Sequence, residues 1–144
     1  AEWFGEEAEQ LRQAGAEYGA ATGRPRRVGP IDLVATRYGV RIQGATEVAL
    51  TKLDVLSYMK EIPVCVQYEL RGERTDDFPF TALVGEAKPV YKTVPGWGCD
   101  ISGVRKYEDL PQAARDYVEF VERSIGCRIS YVSVGAARDE IIYR

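Results

Sequence analysis

Three short stretches of this 144-residue chain combine residue types suited to gripping a nucleotide base or a small anion. The first is Ala20-Ala21-Thr22-Gly23-Arg24-Pro25-Arg26, followed directly by Arg27. Glycine lets backbone amides approach a ligand, Thr22 offers a hydroxyl, and arginine presents a planar fork of donors matched to carboxylates and phosphates. With one residue between them, Arg24 and Arg26 project to the same side of an extended segment, with Arg27 opposite. The second stretch is Thr51-Lys52-Leu53-Asp54. A carboxylate at Asp54 can accept from both N1–H and N2–H of guanine, a donor pair that no other standard base presents. The Lys52 stem can cover the base plane while its ammonium stays in water. The third is Ser133-Val134-Gly135, whose small side chains and backbone amides suit the other edge of a base, such as O6 of guanine. Each stretch has a plainer alternative: a solvated basic loop, a surface turn and an ordinary strand end.

The elements that must position these residues follow from periodicity and punctuation. Phe4, Ala8 and Leu11 are spaced for one face of a helix over Glu6–Ala14, stopped by Gly15. Gly19–Pro30 holds three glycines and two prolines in twelve residues and reads as a loop. Asp32 caps a second helix through Leu33, Val34, Tyr38 and Ile42, ended by Gly44. Glu47–Leu53 reads as a strand that delivers Lys52 and Asp54 at its carboxyl end, and a helical turn over Val55–Met59 follows. Pro63–Leu70 and Glu73–Phe78 form a hairpin about Arg71-Gly72, and Ala87–Val94 is a further strand. Asp109 and Pro111 open a helix that places Leu110, Ala114, Tyr117, Val121 and Ile125 on one face and stops at Gly126. Arg128–Gly135 is a strand that ends on the third stretch, and the tail from Asp139 pairs at an edge. This order implies a mixed α/β (α+β) fold, strands with packed helices plus a β-hairpin, in one domain over residues 1–144.

Composition narrows the chemistry. The chain has no histidine, which removes the commonest general base, the commonest metal ligand and every imidazole triad. Its three cysteines, Cys65, Cys99 and Cys127, form no C-x-x-C pair and are expected to serve as small apolar fillers. A reducing, cytoplasmic setting follows. The net charge of −3 and the confinement of the arginine run to one segment argue against nucleic acid as a partner. No apolar stretch approaches the roughly 20 residues that span a bilayer, so no membrane is expected. No G-x-x-x-x-G-K-[ST] phosphate loop is present either. The start at Ala1 rather than Met, inside what reads as a helix, suggests a segment of a longer protein.

Joined in this order, the three stretches resemble the adenylosuccinate synthetase family. The likeness runs through GRPRR, RYGVRIQGATEVALTKLDVL (Arg37–Leu56), VCVQYEL, Asp76–Pro79, Pro95–Trp97, SGVRKYEDLP (Ser102–Pro111) and YVSVGAARDE (Tyr131–Glu140). The resemblance implies the carboxy-terminal part of a larger, P-loop-NTPase-like α/β enzyme, a GTP-dependent ligase joining IMP and L-aspartate. It implies that Ala20–Arg26 is the L-aspartate loop, with Arg24 on the carboxylate and the IMP ribose and Arg26 near the GTP phosphates. Lys52, Leu53 and Asp54, with Ser133, Val134 and Gly135, would frame guanine. GTP is then a co-substrate, the magnesium ligands and catalytic residues lie on the missing amino-terminal portion, and the complete protein is a cytoplasmic homodimer. Two departures stand out. Ala21 replaces the first of two threonines usual before Gly-Arg, and Gly29-Pro30 replaces Gly-Trp. Two alternatives remain: a stand-alone guanine-nucleotide-binding module without catalysis, and a purely structural domain whose loop is a solvated surface.

Overall fold

The computed structural model describes residues 1–144. Three helices, α1 (Gly5–Gly15), α2 (Leu33–Gln43) and α3 (Gln112–Ile125), pack with six strands. The strands are β1 (Glu47–Leu50), β2 (Glu61–Leu70), β3 (Glu73–Thr75), β4 (Lys88–Pro95), β5 (Arg128–Ser133) and β6 (Ile141–Tyr143). They make two three-stranded sheets, in the orders β1-β5-β6 and β3-β2-β4. β1 runs parallel to β5, with Leu50 opposite Val132, and β6 returns antiparallel to β5. A parallel pair needs a long crossover; here the crossover contains the whole β2–β4 sheet and α3. The mixed α/β expectation therefore stands.

Local chemistry explains most boundaries. Asp32 Oδ1 accepts the Ala35 amide at 3.0 Å and so caps α2, which ends on Gly44 in the left-handed region at φ 60°. Arg71 (φ 53°) and Gly72 (φ 87°) both lie at positive φ, the requirement of a two-residue hairpin turn whose twist matches its strands. α3 buries Ala114, Tyr117, Val121 and Ile125, three or four residues apart, together with Val118. With Leu33, Leu53, Val64, Ile129 and Val132 they belong to one 18-residue core cluster. Each fully buried aliphatic side chain of this kind contributes about 1.5–3 kcal/mol.

Several boundaries and faces differ from expectation. β1 stops at Leu50, not Leu53, because Lys52 adopts a left-handed backbone (φ 61°) and Leu53–Tyr58 coils as a 3₁₀ turn. Phe4 stays 77% exposed while Ala8 and Leu11 are buried, so the α1 face is narrower than its spacing suggests. Tyr38 and Ile42 also remain exposed on α2. Tyr38 stacks on Phe78 with ring centroids 4.8 Å apart instead of entering the core. The return strand of the hairpin stops at Thr75, and Thr81–Glu86 forms an unanticipated 3₁₀ turn. Cys65 and Cys127 are buried as fillers, whereas Cys99 is exposed. Burial, reinforced by the nearby Asp32 carboxylate, pushes the Cys65 thiol up to about 11.

Candidate functional site

The carboxyl ends of β1 and β5 are neighbours, so the second and third stretches meet. The Lys52 amide donates to Ser133 Oγ at 2.8 Å, a contact spanning 81 positions of sequence. Beyond it, Val134 is fully buried and its amide donates to the Glu140 carbonyl at 2.9 Å. Gly135 leaves room for the Glu140 carboxylate, which a Cβ there would displace. Glu140 Oε2 accepts the Ala137 amide at 2.6 Å and closes the Gly135–Glu140 loop.

Asp54 sits one residue into the 3₁₀ turn, yet its side chain caps nothing. Its Oδ1 is shut off from solvent and meets no donor. A buried acceptor without a donor is costly, about 1–3 kcal/mol for an ordinary polar group and more for a charged one. Lys52 is placed differently from the expectation. Its ammonium donates to the Gly15 carbonyl at 2.8 Å and to Glu17 Oε1, so it turns back to the end of α1.

The Ala20–Arg26 stretch is not extended. Gly19 N donates to the Arg24 carbonyl and Gly23 N to the Gly19 carbonyl, both at 2.8 Å, while Tyr18 and Pro25 pair as a bridge. Gly23 takes φ 65°, a conformation that favours glycine, and the turn reverses the chain. Thr22 Oγ1 accepts the Arg24 amide at 3.4 Å. Residues Ala20 to Arg27 are all exposed. Their arginines have separate fates. Arg26 pairs with Glu17 at 3.0 Å, Arg27 pairs with Glu2, and Arg24 has no side-chain partner. The idea that Arg24 and Arg26 form a matched pair on one side is replaced by one free and one anchored arginine.

Glu17 is the residue that sequence reasoning missed. Its carboxylate accepts from Lys52 and from Arg26 with different oxygens and so links the basic loop to the strand ends. Lys52 first and Arg26 second hold its carboxyl below the usual carboxylate range. Nothing in the sequence marks it, because one glutamate before a glycine-rich loop is unremarkable until its partners are known. A cleft of about 410 Å³ opens beside this network, lined by Leu11, Glu17, Val28, Leu50, Lys52, Leu53 and Tyr117 among others. Asp54, Ser133–Gly135 and Ala20–Arg26 lie outside its walls. Of the residues expected to frame a base, Lys52 and Leu53 line this cleft, while Asp54 and Ser133–Gly135 do not.

A family model described as adenylosuccinate synthetase matches residues 1–142. Adenylosuccinate synthetase of Bifidobacterium adolescentis is 52% identical over 142 residues, 98% of this chain and 33% of that protein. The protein of the same name from Kocuria rhizophila is 51% identical over the same length, again across 33% of its own. A solved structure of fully ligated adenylosuccinate synthetase from Plasmodium falciparum superposes with a TM-score of 0.93 at 34% identity, covering 99% of this chain and 35% of that one. The chain thus spans about one third of the length of the curated relatives it matches.

Proposed function

This chain belongs to the adenylosuccinate synthetase family, and from that membership we propose that it supplies the L-aspartate loop and the guanine-binding strand ends of a GTP-dependent ligase. In that reaction the γ-phosphoryl group of GTP passes to O6 of IMP, and GDP is released. The amino nitrogen of L-aspartate then attacks C6, the C6–O bond breaks, and phosphate leaves with adenylosuccinate as product. The carrying observation is the junction of Lys52 with Ser133, which brings the Lys52–Asp54 and Ser133–Gly135 stretches together at neighbouring strand ends. A guanine edge offers Asp54 two N–H donors: the open Oδ2 can take one as it stands, and the covered Oδ1 takes the other once the turn shifts to uncover it. Beyond Ser133 the Val134 and Ala137 amides are taken by Glu140, so the O6 side of the base falls to the Gly135 amide. Arg24, free of any internal partner, holds the aspartate carboxylate, and Arg26 faces the phosphates.

The chemistry also uses magnesium. None of the steps assigned to this chain passes through the ion. The phosphate cradle and the magnesium ligands belong to the two thirds of the relatives' length that this chain does not span. We place the complete ligase in the cytoplasm as a homodimer, within purine biosynthesis. No helix here is long and apolar enough to cross a membrane.

Calorimetric titration tests the proposal. A protein of the relatives' length carrying this segment is expected to bind GDP and, with IMP present, L-aspartate. The 144-residue chain alone is expected to bind GDP weakly and to form no adenylosuccinate. Absence of GDP binding in the full-length protein would overturn the guanine assignment. Binding of GDP with no response to IMP or L-aspartate would instead identify a stand-alone guanine-nucleotide module.

A further inference from the structure

Glu17 stands where the chain leaves α1, and every polar group it has on this side is used. Its amide donates to the Arg12 carbonyl at 2.8 Å, and its carbonyl accepts the Arg26 amide at 3.0 Å. Its carboxylate takes Arg26 Nη1 on Oε2 and the Lys52 ammonium on Oε1. The glutamate side chain is 22% exposed, against 52% for Arg26 and 48% for Lys52. The anion is therefore the sheltered member and the two cations are the reachable ones. Only Nη1 of Arg26 contacts Glu17, so Nε and Nη2 remain free for another acceptor. Lys52 is in turn fixed through its backbone to Ser133. Without an anion between them, two cations this close would repel and separate.

We infer that Glu17 is a positioning residue that sets Arg26 and Lys52 at a fixed separation and so couples the anion loop to the guanine-binding strand ends. This inference rests on the reading of those two stretches as ligand contacts, and it adds a residue that touches neither ligand. An ion pair shared this way is partly screened, so the effect expected from its loss is modest.

The test is Glu17→Gln in the full-length protein, which keeps the size of the side chain and one acceptor while removing the charge. KM for GTP and KM for L-aspartate are both expected to rise, each about two- to fivefold, with kcat changing less than either. Trypsin cleavage after Arg26 or Arg27 is expected to accelerate, because the base of the loop loses a tether. A lower Tm with both KM values unmoved would make Glu17 purely structural and overturn the inference. A rise in only one KM would overturn the coupling. If the parent protein uses neither GTP nor L-aspartate, the ligase reading falls by itself. The trypsin rate then decides the tether: an unchanged rate ends it, and a faster one upholds it.

Discussion

The Gly19–Arg27 loop and the joined ends of β1 and β5 both carry residues proposed to meet ligand, but they are held by different means. The strand ends are fixed by the sheet itself: Leu50 lies opposite Val132, Val134 is buried, and the Lys52–Ser133 bond follows from that register. The loop is a self-contained turn, closed by backbone bonds at Gly19 and Gly23 and fastened at its base through Glu17. Its side chains bury nothing. The strand ends are thus preorganised before any ligand arrives, whereas the loop can reorder around one. A fixed carboxylate suits the reading of a rigid base. A movable arginine suits the capture of a small, flexible amino acid.

The largest effect should come from the rigid side. Asp54→Asn replaces an acceptor by an amide donor that would face the guanine amino group, and kcat/KM for GTP in the full-length ligase is expected to fall about a hundredfold. Xanthine carries a carbonyl at that ring position, so use of XTP should rise relative to GTP. Thermal stability should change little, because Asp54 is half-buried and its covered Oδ1 has no donor to lose. Equal losses with both nucleotides would reduce Asp54 to a structural residue and erase the contrast between the two regions.

Arg24→Leu probes the movable side. Arg24 has no partner within the chain, so Tm should hold. Activity at low L-aspartate should drop about tenfold, the lower end for a charge-assisted bond in a solvent-open loop. An unchanged dependence on L-aspartate would show that the loop grips something else. A smaller effect is expected from Ser133→Ala, which removes the acceptor of the Lys52 amide. KM for GTP should rise about two- to tenfold, as for a neutral hydrogen bond, while KM for L-aspartate stays put.

Acid sharpens the comparison most gently. Lys52 and Arg26 lower the Glu17 carboxyl, so the stability it contributes is complete above the ordinary carboxylate value of about 4.3 and is lost as pH falls through the lower folded value. As pH falls below about 4.3, chemical shifts of the Arg26 Nε–H and the Lys52 amide should report that release. The Leu50–Val132 pairing should persist, since no titrating group holds it.

Much of this was open to a reader of the amino acids alone, because it depends on neighbours along the chain. The Asp32 cap, the glycine stops at Gly44 and Gly126, the Arg71-Gly72 turn and the buried stripe of α3 all arise from contacts a few residues apart. The family likeness was legible for the same reason, carried by unbroken motifs such as Thr51–Asp54 and Ser133–Gly135. What the tertiary structure alone decided is who meets whom. The bond between Lys52 and Ser133 spans 81 positions, and the pairing of Glu17 with Lys52 spans 35. No local preference encodes either. They exist because a parallel pairing of β1 with β5 and the docking of α1 beside the 3₁₀ turn bring distant backbone and opposite charges within hydrogen-bond reach. The same docking turned the Lys52 ammonium toward Glu17, a direction that spacing could not reveal.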